Sequence, residues 1–395
     1  MNKVSHQDSI AVAVSGGADS LFSMLHLREQ GRKVLALHGI FFKAPCREME
    51  EKKEQVRMRL AESCLSLGIP LTVVDLSEAF EEQVIRPFVE EYARGRTPNP
   101  CSLCNARVKF GLLLDAAHGL GASRLATGHY ARIVRGPSLG LGQGCALMQG
   151  EDALKDQSYF LALVPRERLE QAEFPLGETR KKDVLEALDQ HGLAVPQPGE
   201  SQEVCFIPDD EYRKFLPRMA EKLGIRLPGP GAMRLRDGRQ VGTHQGLWRY
   251  TEGQRRGLGV AWKEPLHVLA KEQEGNILRL GPRSEMQIHE IICNNVNLLL
   301  SPQLWPEHVW VKTRYREKPK PASISLIHGT GDALPSMHIR FHDRENSAAP
   351  GQVAAVYISA EEIARENFRP TGTEKGISPN GGLLVAAGGV IIQAG

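Results

Sequence analysis

The chain has 395 residues, of which 41% are hydrophobic and 24% are charged, and its formal net charge is +2. This composition excludes a disordered or fibrous protein, and the length favours two or three domains. A net charge this small gives no general attraction for nucleic acid, so any RNA contact must come from local patches. Because no apolar run is long enough to cross a bilayer and residues 1–10 lack the layout of a signal peptide, we expect a cytoplasmic protein without a membrane contact.

The first half of the chain alternates short apolar runs with amphipathic stretches of helical spacing. Strands are predicted at Ile10–Val14, Val34–Phe42, Leu71–Asp75 and Arg124–Gly128, and helices at Leu21–Gln30, Glu48–Leu67 and Arg107–His118. Strands separated by helices of this length predict a parallel sheet with right-handed crossovers. The predicted fold class is therefore α/β, beginning with a doubly wound, Rossmann-like parallel sheet.

The second half of the chain has a different residue pattern, which begins with a cluster of turn-forming residues at Leu227–Gly231. After Gly281, regularly spaced short strands predict a small barrel. These strands are Val309–Tyr315, Ala322–Ile327, Met337–Phe341 and Gln352–Ile358. We predict three domains at residues 1–208, 209–281 and 282–395, the second a small central domain and the third a C-terminal β-barrel. The glycine-rich stretch 371–395 has no predicted role.

The strongest chemical signal is Ser-Gly-Gly-Ala-Asp-Ser at Ser15–Ser20, directly between the first predicted strand and the first helix. Its glycines let the backbone approach an anion, and the helix N-terminus supplies N–H groups and a positive dipole end. The Gly-Lys-Ser/Thr of a Walker loop is missing, which argues against γ-phosphoryl transfer. Asp19 suits a Mg²⁺ ion that bridges phosphates. The alternative is a glycine-rich turn capped by serine.

Two cysteines lie in polar loops flanked by proline or glycine. Cys104 follows two prolines, and we expect it near a helix N-terminus whose dipole lowers the thiol pKa. Cys205 lies far along the chain. In a long chain without a signal peptide, spaced cysteines are more often catalytic or metal-binding than disulfide-bonded. The alternative for both is burial as small hydrophobic side chains.

Two further blocks are polar. Gly128 ends a predicted strand, which is where open α/β sheets bind ligands. Lys155, Asp156 and Gln157 place a cation, an acceptor and an amide at consecutive positions. Alone, such a triplet is more often a solvated loop than a site.

The Ser15–Ser20 motif resembles the PP-loop of ATP pyrophosphatases, which cleave ATP between the α- and β-phosphates. Together with the other blocks, it resembles the tRNA-specific 2-thiouridylases of the MnmA type along nearly the whole chain. The matching blocks keep the order and spacing of that family at Ser15–Ser20, Thr97–Asn105, Gly128–Arg132, Lys155–Leu161, Glu200–Ile207, Gly246–Gly259, Val311–Arg316 and Pro350–Gln352. The resemblance implies that a uridine oxygen in tRNA is adenylated and then replaced by sulfur.

The resemblance also implies which residues form the site, with Asp19, Cys104 and Cys205 catalytic. ATP with Mg²⁺ would be held by Ser15, Gly16, Gly17, Asp19, Ser20, Phe42 and Gly128. Cys205 would carry a persulfide delivered by a sulfur-carrier protein, whose terminal sulfur attacks C2 or is first released as hydrosulfide by Cys104. On either route, Cys104 would form a disulfide with Cys205. The anticodon loop of tRNA, with its wobble uridine, would be contacted by Asn99, Pro100, Cys101, Lys155, Asp156, Gln157, Arg314 and Tyr315. We expect the protein to be a monomer.

One position departs from the family, whose members usually carry Asp where this chain has Cys101. A candidate acid or base near the nucleotide is thereby lost, and a third thiol is gained. With Cys104 and Cys205, the three cysteines would suit a [4Fe–4S] cluster in which one iron is left open for hydrosulfide. The alternatives are therefore a persulfide relay, a three-cysteine cluster, or a tolerated surface replacement at Cys101.

Two other functions stay open at this point. A PP-loop ligase or amidotransferase acting on a small metabolite would share Ser15–Ser20 without needing the β-rich half or the distant cysteines. A non-catalytic tRNA-binding protein on an enzyme scaffold would need neither an intact loop nor both cysteines.

Overall fold

The protein is described here by a computed structural model covering residues 9–44, 46–135, 144–197, 204–207, 211–327, 334–346, 348–367 and 382–395. The predicted block Glu200–Ile207 therefore lies outside the described residues up to residue 203, and so does the glycine-rich stretch from 371 to 381. Across the described ranges, no helix is both long and apolar enough to cross a membrane.

The strands are β1 Ile10–Ala13, β2 Val34–Ile40, β3 Leu71–Asp75, β4 Arg124–Ala126, β5 Ala131–Arg135, β6 Cys145–Gln149, β7 Ala172–Glu173, β8 Gly231–Leu235, β9 Gln240–His244, β10 His267–Glu272, β11 Ile277–Gly281, β12 Gln287–Leu298, β13 Val309–Lys312, β14 Lys320–Ile327, β15 Ser336–Asn346, β16 Val353–Ser359 and β17 Leu383–Ala394. The α-helices are α1 Ala18–Glu29, α2 Arg47–Ser66, α3 Ser77–Phe80, α4 Arg86–Ala93, α5 Pro100–Cys104, α6 Leu114–Gly119, α7 Ser158–Leu161, α8 Arg166–Leu169, α9 Lys181–Gln190, α10 Tyr212–Leu223 and α11 Ala360–Asn367. Two π-helical segments, Glu81–Ile85 and Asn105–Leu113, join α3 to α4 and α5 to α6.

The N-terminal sheet has five parallel strands in the order β3-β2-β1-β4-β7. Both faces of the central strand β1 are buried, because Ala11 packs in one apolar cluster while Ile10 and Val12 pack in another. A parallel sheet covered on both faces is the doubly wound arrangement that the apolar runs predict, and that prediction is confirmed. The central strand ends at Ala13, which leaves the Ser15–Ser20 loop at the carboxyl edge of the sheet.

The central part of the chain forms a separate sheet of four strands in the order β10-β11-β8-β9. The β11–β8 pair is parallel, and the two outer pairs are antiparallel. Its own apolar cluster includes Met233, Val268 and Leu278. This sheet contributes the strand β10, whose last residues reach the N-terminal domain.

The C-terminal part is a closed antiparallel barrel of six strands in the order β12-β15-β14-β13-β16-β17, so the predicted barrel is confirmed. The barrel closes through β17, which pairs with both β16 and β12. Thus part of the glycine-rich stretch that had no predicted role is the closing strand. A Cβ at Gly388 would lie 2.5 Å from the carbonyl oxygen of Ala162, so glycine lets this strand approach the N-terminal domain.

A hairpin of the N-terminal domain extends the barrel sheet and was not predicted from the sequence. Strands β5 and β6 pair with each other, and β6 joins β17 where Met148 faces Leu384. One buried cluster then contains residues of both regions, among them Tyr159 and Tyr357. The predicted domain boundaries stay predictions, but these two regions share a core.

Candidate functional site

The Ser15–Ser20 loop is held in shape by its own hydroxyl groups. The backbone N–H of Ser15 donates to Ser20 Oγ at 3.1 Å, and Ser20 Oγ donates to the Gly17 carbonyl at 2.9 Å. Gly16 has φ +88°, a conformation that favours glycine. Gly17 stands at the N-cap of α1 and offers no side-chain acceptor to the first turn of that helix. The loop therefore presents an uncapped helix N-terminus, which is suited to bind an anion.

Gly128 lies just after the neighbouring strand β4 and packs against the loop. A Cβ at this position would lie 2.9 Å from the carbonyl carbon of Asp19 and 3.0 Å from the nitrogen of Ser20. These are backbone atoms of the loop and the first turn of α1, which cannot swing aside as a flexible side chain can. Gly128, predicted as a nucleotide-binding residue, thus lies against the loop because it has no side chain.

Asp19 is paired with two residues that the sequence motif did not indicate. Tyr130 Oη donates to Asp19 Oδ1 at 2.8 Å, and Lys181 Nζ lies 2.6 Å from the same oxygen. Lys181 is the first residue of α9, far along the chain, and no local sequence pattern distinguishes it from a surface lysine. Its side chain is about a quarter exposed, so its charge lies at the surface of the loop. Lys181 therefore places a cation beside a loop that, unlike a Walker loop, contains no lysine of its own.

Replacing Lys181 with methionine should raise the KM for ATP by roughly tenfold, because the variant loses one charge-assisted contact at the phosphates. The check is tRNA-dependent pyrophosphate release at varied ATP concentration. Lys222→Met serves as the control, since that lysine pairs with Glu81 on the surface. An unchanged KM for ATP in Lys181→Met would show that Lys181 does not contribute to the nucleotide site.

Lys53 links the predicted nucleotide residue Phe42 to the predicted sulfur residue Cys205. Its ammonium donates to the Phe42 carbonyl at 2.8 Å and lies 3.6 Å from the centroid of the Phe42 ring. Lys53 also lies near enough to Cys205 for each group to alter the pKa of the other. The two halves of the predicted site are therefore neighbours in space.

The segment that carries Cys101 and Cys104 begins with a side-chain cap. Asn99 Oδ1 accepts the backbone N–H of Ser102 at 3.1 Å, and α5 then runs from Pro100 to Cys104. Cys104 is thus the last residue of α5 and not part of its first turn, and it is buried. Burial raises the pKa of Cys104 to about 12. The prediction of a lowered thiol pKa is wrong, because desolvation outweighs a dipole effect that fades beyond the first turn.

The three cysteines of the predicted cluster influence one another electrostatically. Cys205 and Cys101 both contribute to the raised pKa of Cys104, and Cys101 contributes to that of Cys205. Desolvation is the largest cause at each thiol, and it raises the pKa of Cys205 to about 11. Cys205 as a residue is nevertheless exposed to solvent. Lys109 lowers the pKa of all three thiols, and sequence patterns gave it no role.

Alkylation of Cys104 and Cys205 in the free protein should keep accelerating from pH 7 to pH 10 without a plateau. The thiolate is the reactive form, and a raised pKa keeps its fraction small and proportional to hydroxide concentration over this range. Mass spectrometry of iodoacetamide-treated peptides measures both rates, with the exposed Cys46 as internal reference. A plateau below pH 9 would show that these thiols are already ionised.

Of the residues predicted to contact tRNA, Asp156 is buried and engaged within the protein. Its carboxylate accepts the backbone N–H groups of Gly150 and Ser158, each at 3.1 Å, and the Ser158 hydroxyl at 3.0 Å. Gln157 accepts the N–H of Tyr130 at 3.1 Å through Oε1. These contacts shape the loop beside Lys155, and a tRNA contact at Asp156 stays a prediction.

Arg314 and Tyr315 of the barrel contact the other two parts of the chain. Arg314 donates to the main-chain carbonyl of Glu252 at 3.4 Å in the central part. The Tyr315 hydroxyl donates to the carbonyl of Lys155 at 3.5 Å, and its ring centroid lies 4.5 Å from that of Phe160. The structure thus brings Lys155 and Tyr315 together, as expected for residues of one binding surface.

The parallel sheet, the Ser15–Ser20 loop and the glycine packed on it define a protein of the PP-loop class. Three family models match along the chain. The model described as "tRNA methyl transferase HUP domain" matches residues 8–209, "tRNA methyl transferase PRC-barrel domain" matches 222–282, and "Aminomethyltransferase beta-barrel domain" matches 288–363.

Curated relatives cover almost the same length. The chain is 50% identical over 348 residues to the tRNA-specific 2-thiouridylase MnmA of Nitratidesulfovibrio vulgaris strain DSM 19637 / Miyazaki F, covering 88% of this chain and 95% of the relative. It is 48% identical over 355 residues to that of Oleidesulfovibrio alaskensis, covering 90% and 97%. The chain belongs to the family of tRNA-specific 2-thiouridylases of the MnmA type, which are sulfurtransferases.

Among solved structures, the U34-tRNA thiolase NcsA from Methanococcus maripaludis with its [4Fe-4S] cluster aligns with 56% of this chain and 67% of that chain, at a TM-score of 0.34 and 16% identity.

Proposed function

We propose that this protein uses ATP to replace the C2 oxygen of the wobble uridine of a tRNA with sulfur. The observation that carries the proposal is Lys53, which contacts Phe42 on the nucleotide side and acts on the thiol of Cys205. A residue predicted to bind the nucleotide and a residue predicted to carry sulfur thus lie near the same lysine. The relatives that cover the whole length of the chain are named tRNA-specific 2-thiouridylases, which supports the same substrate.

The first step is adenylation. The C2 oxygen of uridine attacks the α-phosphate of ATP, pyrophosphate leaves, and the oxygen becomes part of a good leaving group, AMP. The uncapped N-terminus of α1 and the Lys181 ammonium would stabilise the negative charge that develops on the phosphates. Asp19 is an oxygen ligand of the kind Mg²⁺ requires, and a bound ion would neutralise the phosphates further. In this proposal Asp19 exchanges its pairing with Lys181 for that role.

The second step is sulfur transfer. A sulfur-carrier protein loads Cys205 with a second sulfur, and the terminal sulfur of that persulfide attacks C2 while AMP departs. The Cys104 thiolate then attacks Sγ of Cys205, so the S–S bond of the persulfide breaks and 2-thiouridine is released. A Cys104–Cys205 disulfide is left, and a cellular thiol reductant must reduce it. The exposure of Cys205 and the burial of Cys104 suit these two roles.

Lys109 is the residue that would reduce the cost of forming these thiolates. Burial disfavours the thiolate at each cysteine, while Lys109 is the cation that favours it at all three. A thiolate formed near Lys109 gains the attraction of an opposite charge. The proposal therefore places Lys109 as the residue that stabilises the anionic forms of Cys104 and Cys205.

The three-cysteine cluster is the second candidate for the sulfur step, and the electrostatic influence of Cys101 on the pKa of the other two thiols supports it. Thiolates are the usual ligands of iron–sulfur clusters, so the donor set fits, and the cluster would supply one open iron position. Among the described residues, no three His, Cys, Asp or Glu side chains are grouped so as to hold a single metal ion. The persulfide relay is therefore the first candidate.

Replacing Cys101 with serine distinguishes the two candidates. We expect thiolation to be roughly unchanged, because the relay uses only Cys104 and Cys205. Protein purified without oxygen is measured for iron before and after reconstitution with iron and sulfide. Wild-type protein that needs bound iron for activity, with both lost in Cys101→Ser, would replace the relay by the cluster.

The proposed function is tested by incubating the protein with tRNA, ATP and a sulfide source, then analysing the tRNA nucleosides by mass spectrometry. Formation of 2-thiouridine that depends on ATP is the expected result. Pyrophosphate exchange that depends on a small metabolite and not on tRNA would favour a ligase of the same class. The anticodon-loop contacts, the monomeric state and the cytoplasmic location are part of the proposal.

A further inference from the structure

Thr97 is the point at which the three parts of the chain meet. All three of its polar groups bind another part. Its N–H donates to the Pro350 carbonyl at 2.8 Å, its carbonyl accepts from Gln352 Nε2 at 2.9 Å, and its hydroxyl accepts from Lys271 Nζ at 3.0 Å. Pro350 and Gln352 belong to the barrel, and Lys271 is in β10 of the central sheet. Two residues after Thr97 comes Asn99, the cap of the helix that carries Cys101 and Cys104.

The Lys271 contact is buried within the protein. The side chain of Lys271 is 1% exposed and that of Glu252 is 5% exposed, and their charged atoms lie 3.4 Å apart. Lys271 Nζ also donates to the Tyr250 carbonyl at 3.0 Å. A buried charge pair is costly to separate, so the ammonium is fixed at the place where it meets the Thr97 hydroxyl.

The barrel side of the contact is equally close. Gln352 Nε2 donates to the Pro98 carbonyl at 3.2 Å as well as to that of Thr97. Gly351 has φ +95°, and a Cβ there would lie 2.9 Å from the carbonyl carbon and oxygen of Thr97. The barrel backbone therefore packs directly on the backbone of Thr97, and the segment has no room to shift toward it.

The residues that hold Thr97 also contact residues that are expected to bind tRNA. Arg314 donates to the main-chain carbonyl of Glu252, the partner of Lys271. On the other side, burial raises the pKa of Tyr159 and the Asn99 side chain lowers it, and the Tyr159 hydroxyl donates to the barrel carbonyls of Val353 at 2.9 Å and Thr313 at 3.2 Å. The residues just before the cysteines are thus held from the central sheet and from the barrel at once.

We propose that Lys271, Glu252 and Gln352 are positioning residues for sulfur transfer, and that they act by fixing Thr97 and thereby the cysteine helix. The inference rests on the proposed function and deepens it, because it assigns the central sheet and the barrel a part in the sulfur step. None of the three residues needs to touch the uridine or ATP for this role. Their effect should fall on sulfur transfer and not on adenylation.

The test is Thr97→Val, which keeps the shape of the side chain and both backbone contacts but removes the acceptor for Lys271. We expect the rate of 2-thiouridine formation to fall by about 10- to 100-fold, because small misplacements of reacting groups cause losses of this size. Pyrophosphate release that depends on tRNA and ATP should stay within about twofold. Thr97→Ser restores the hydroxyl and should restore the rate. A second variant, Lys271→Met with Glu252→Gln, removes both buried charges together and should behave like Thr97→Val.

The matched control is Arg279→Met with Glu272→Gln, which removes an ion pair of the same central sheet, 2.8 Å long and formed between β10 and β11, that does not contact Thr97. It should leave both rates unchanged. Full thiolation by Thr97→Val would overturn the inference, and so would an equal loss of pyrophosphate release. If the wild-type protein makes no 2-thiouridine, the proposed function fails, while iodoacetamide still decides the positioning role. Faster alkylation of Cys104 in Thr97→Val than in Thr97→Ser supports that role, and equal rates overturn it.

Discussion

Replacing Cys104 or Cys205 with serine should lower 2-thiouridine formation by roughly 10³-fold or more. A serine hydroxyl can neither carry a persulfide nor open one, so the change removes the sulfur step and not merely a binding contact. Pyrophosphate release in the presence of tRNA should continue in both variants, because adenylation precedes the use of either thiol. Nucleoside mass spectrometry and a pyrophosphate assay on the same samples measure the two steps separately.

The two cysteine variants should also differ from each other in what accumulates. In Cys104→Ser, Cys205 is still loaded, so its persulfide should be detectable on the peptide by mass spectrometry. In Cys205→Ser no such species should form. Cys46→Ser is the matched control, since Cys46 is exposed like Cys205 but lies at the start of α2. Wild-type rates in either active-site variant would point instead to a non-catalytic tRNA-binding protein.

Replacing Gly128 with alanine should reduce adenylation by roughly 100-fold. The added methyl group would lie within 2.9–3.0 Å of backbone atoms of Asp19 and Ser20, so the N-terminus of α1 must move relative to the phosphates. The loss should appear in tRNA-dependent pyrophosphate release and in ATP affinity together. Thiolation should fall by the same factor, because adenylation comes first.

Gly119→Ala is the control for this prediction. Gly119 ends helix α6, and a Cβ there would meet nothing within 4 Å, so alanine adds a methyl group without a steric contact. Both variants should show wild-type circular dichroism, which separates a local displacement from unfolding. Adenylation at the wild-type rate in Gly128→Ala would mean that the loop can yield without harm to the nucleotide site.

Much of the fold could be predicted because its signals are local. The apolar run at Ile10–Val14, followed at once by Ser15–Ser20 and a helical pattern, predicts strand, loop and helix from neighbouring residues alone. The predicted helix Glu48–Leu67 is observed at Arg47–Ser66, and the predicted strand Leu71–Asp75 has the same bounds in the structure. The hairpin of β5 and β6 was missed because it joins a barrel strand more than two hundred residues away.

The sequence by itself determined the sheet, the PP-loop, the family blocks and the presence of Cys101, Cys104 and Cys205. Each of these can be recognised from the residues at that place in the chain. Only the tertiary structure decided which lysine side chains bind the PP-loop and the segment before the cysteine helix. Lys181 pairs with Asp19 across 162 positions, and the Lys271 ammonium meets the Thr97 hydroxyl across 174. It also decided the state of the Cys104 thiol, because a pKa depends on how much protein surrounds a group. A helix position is local information, whereas burial and long-range charge pairs exist only once the chain has folded.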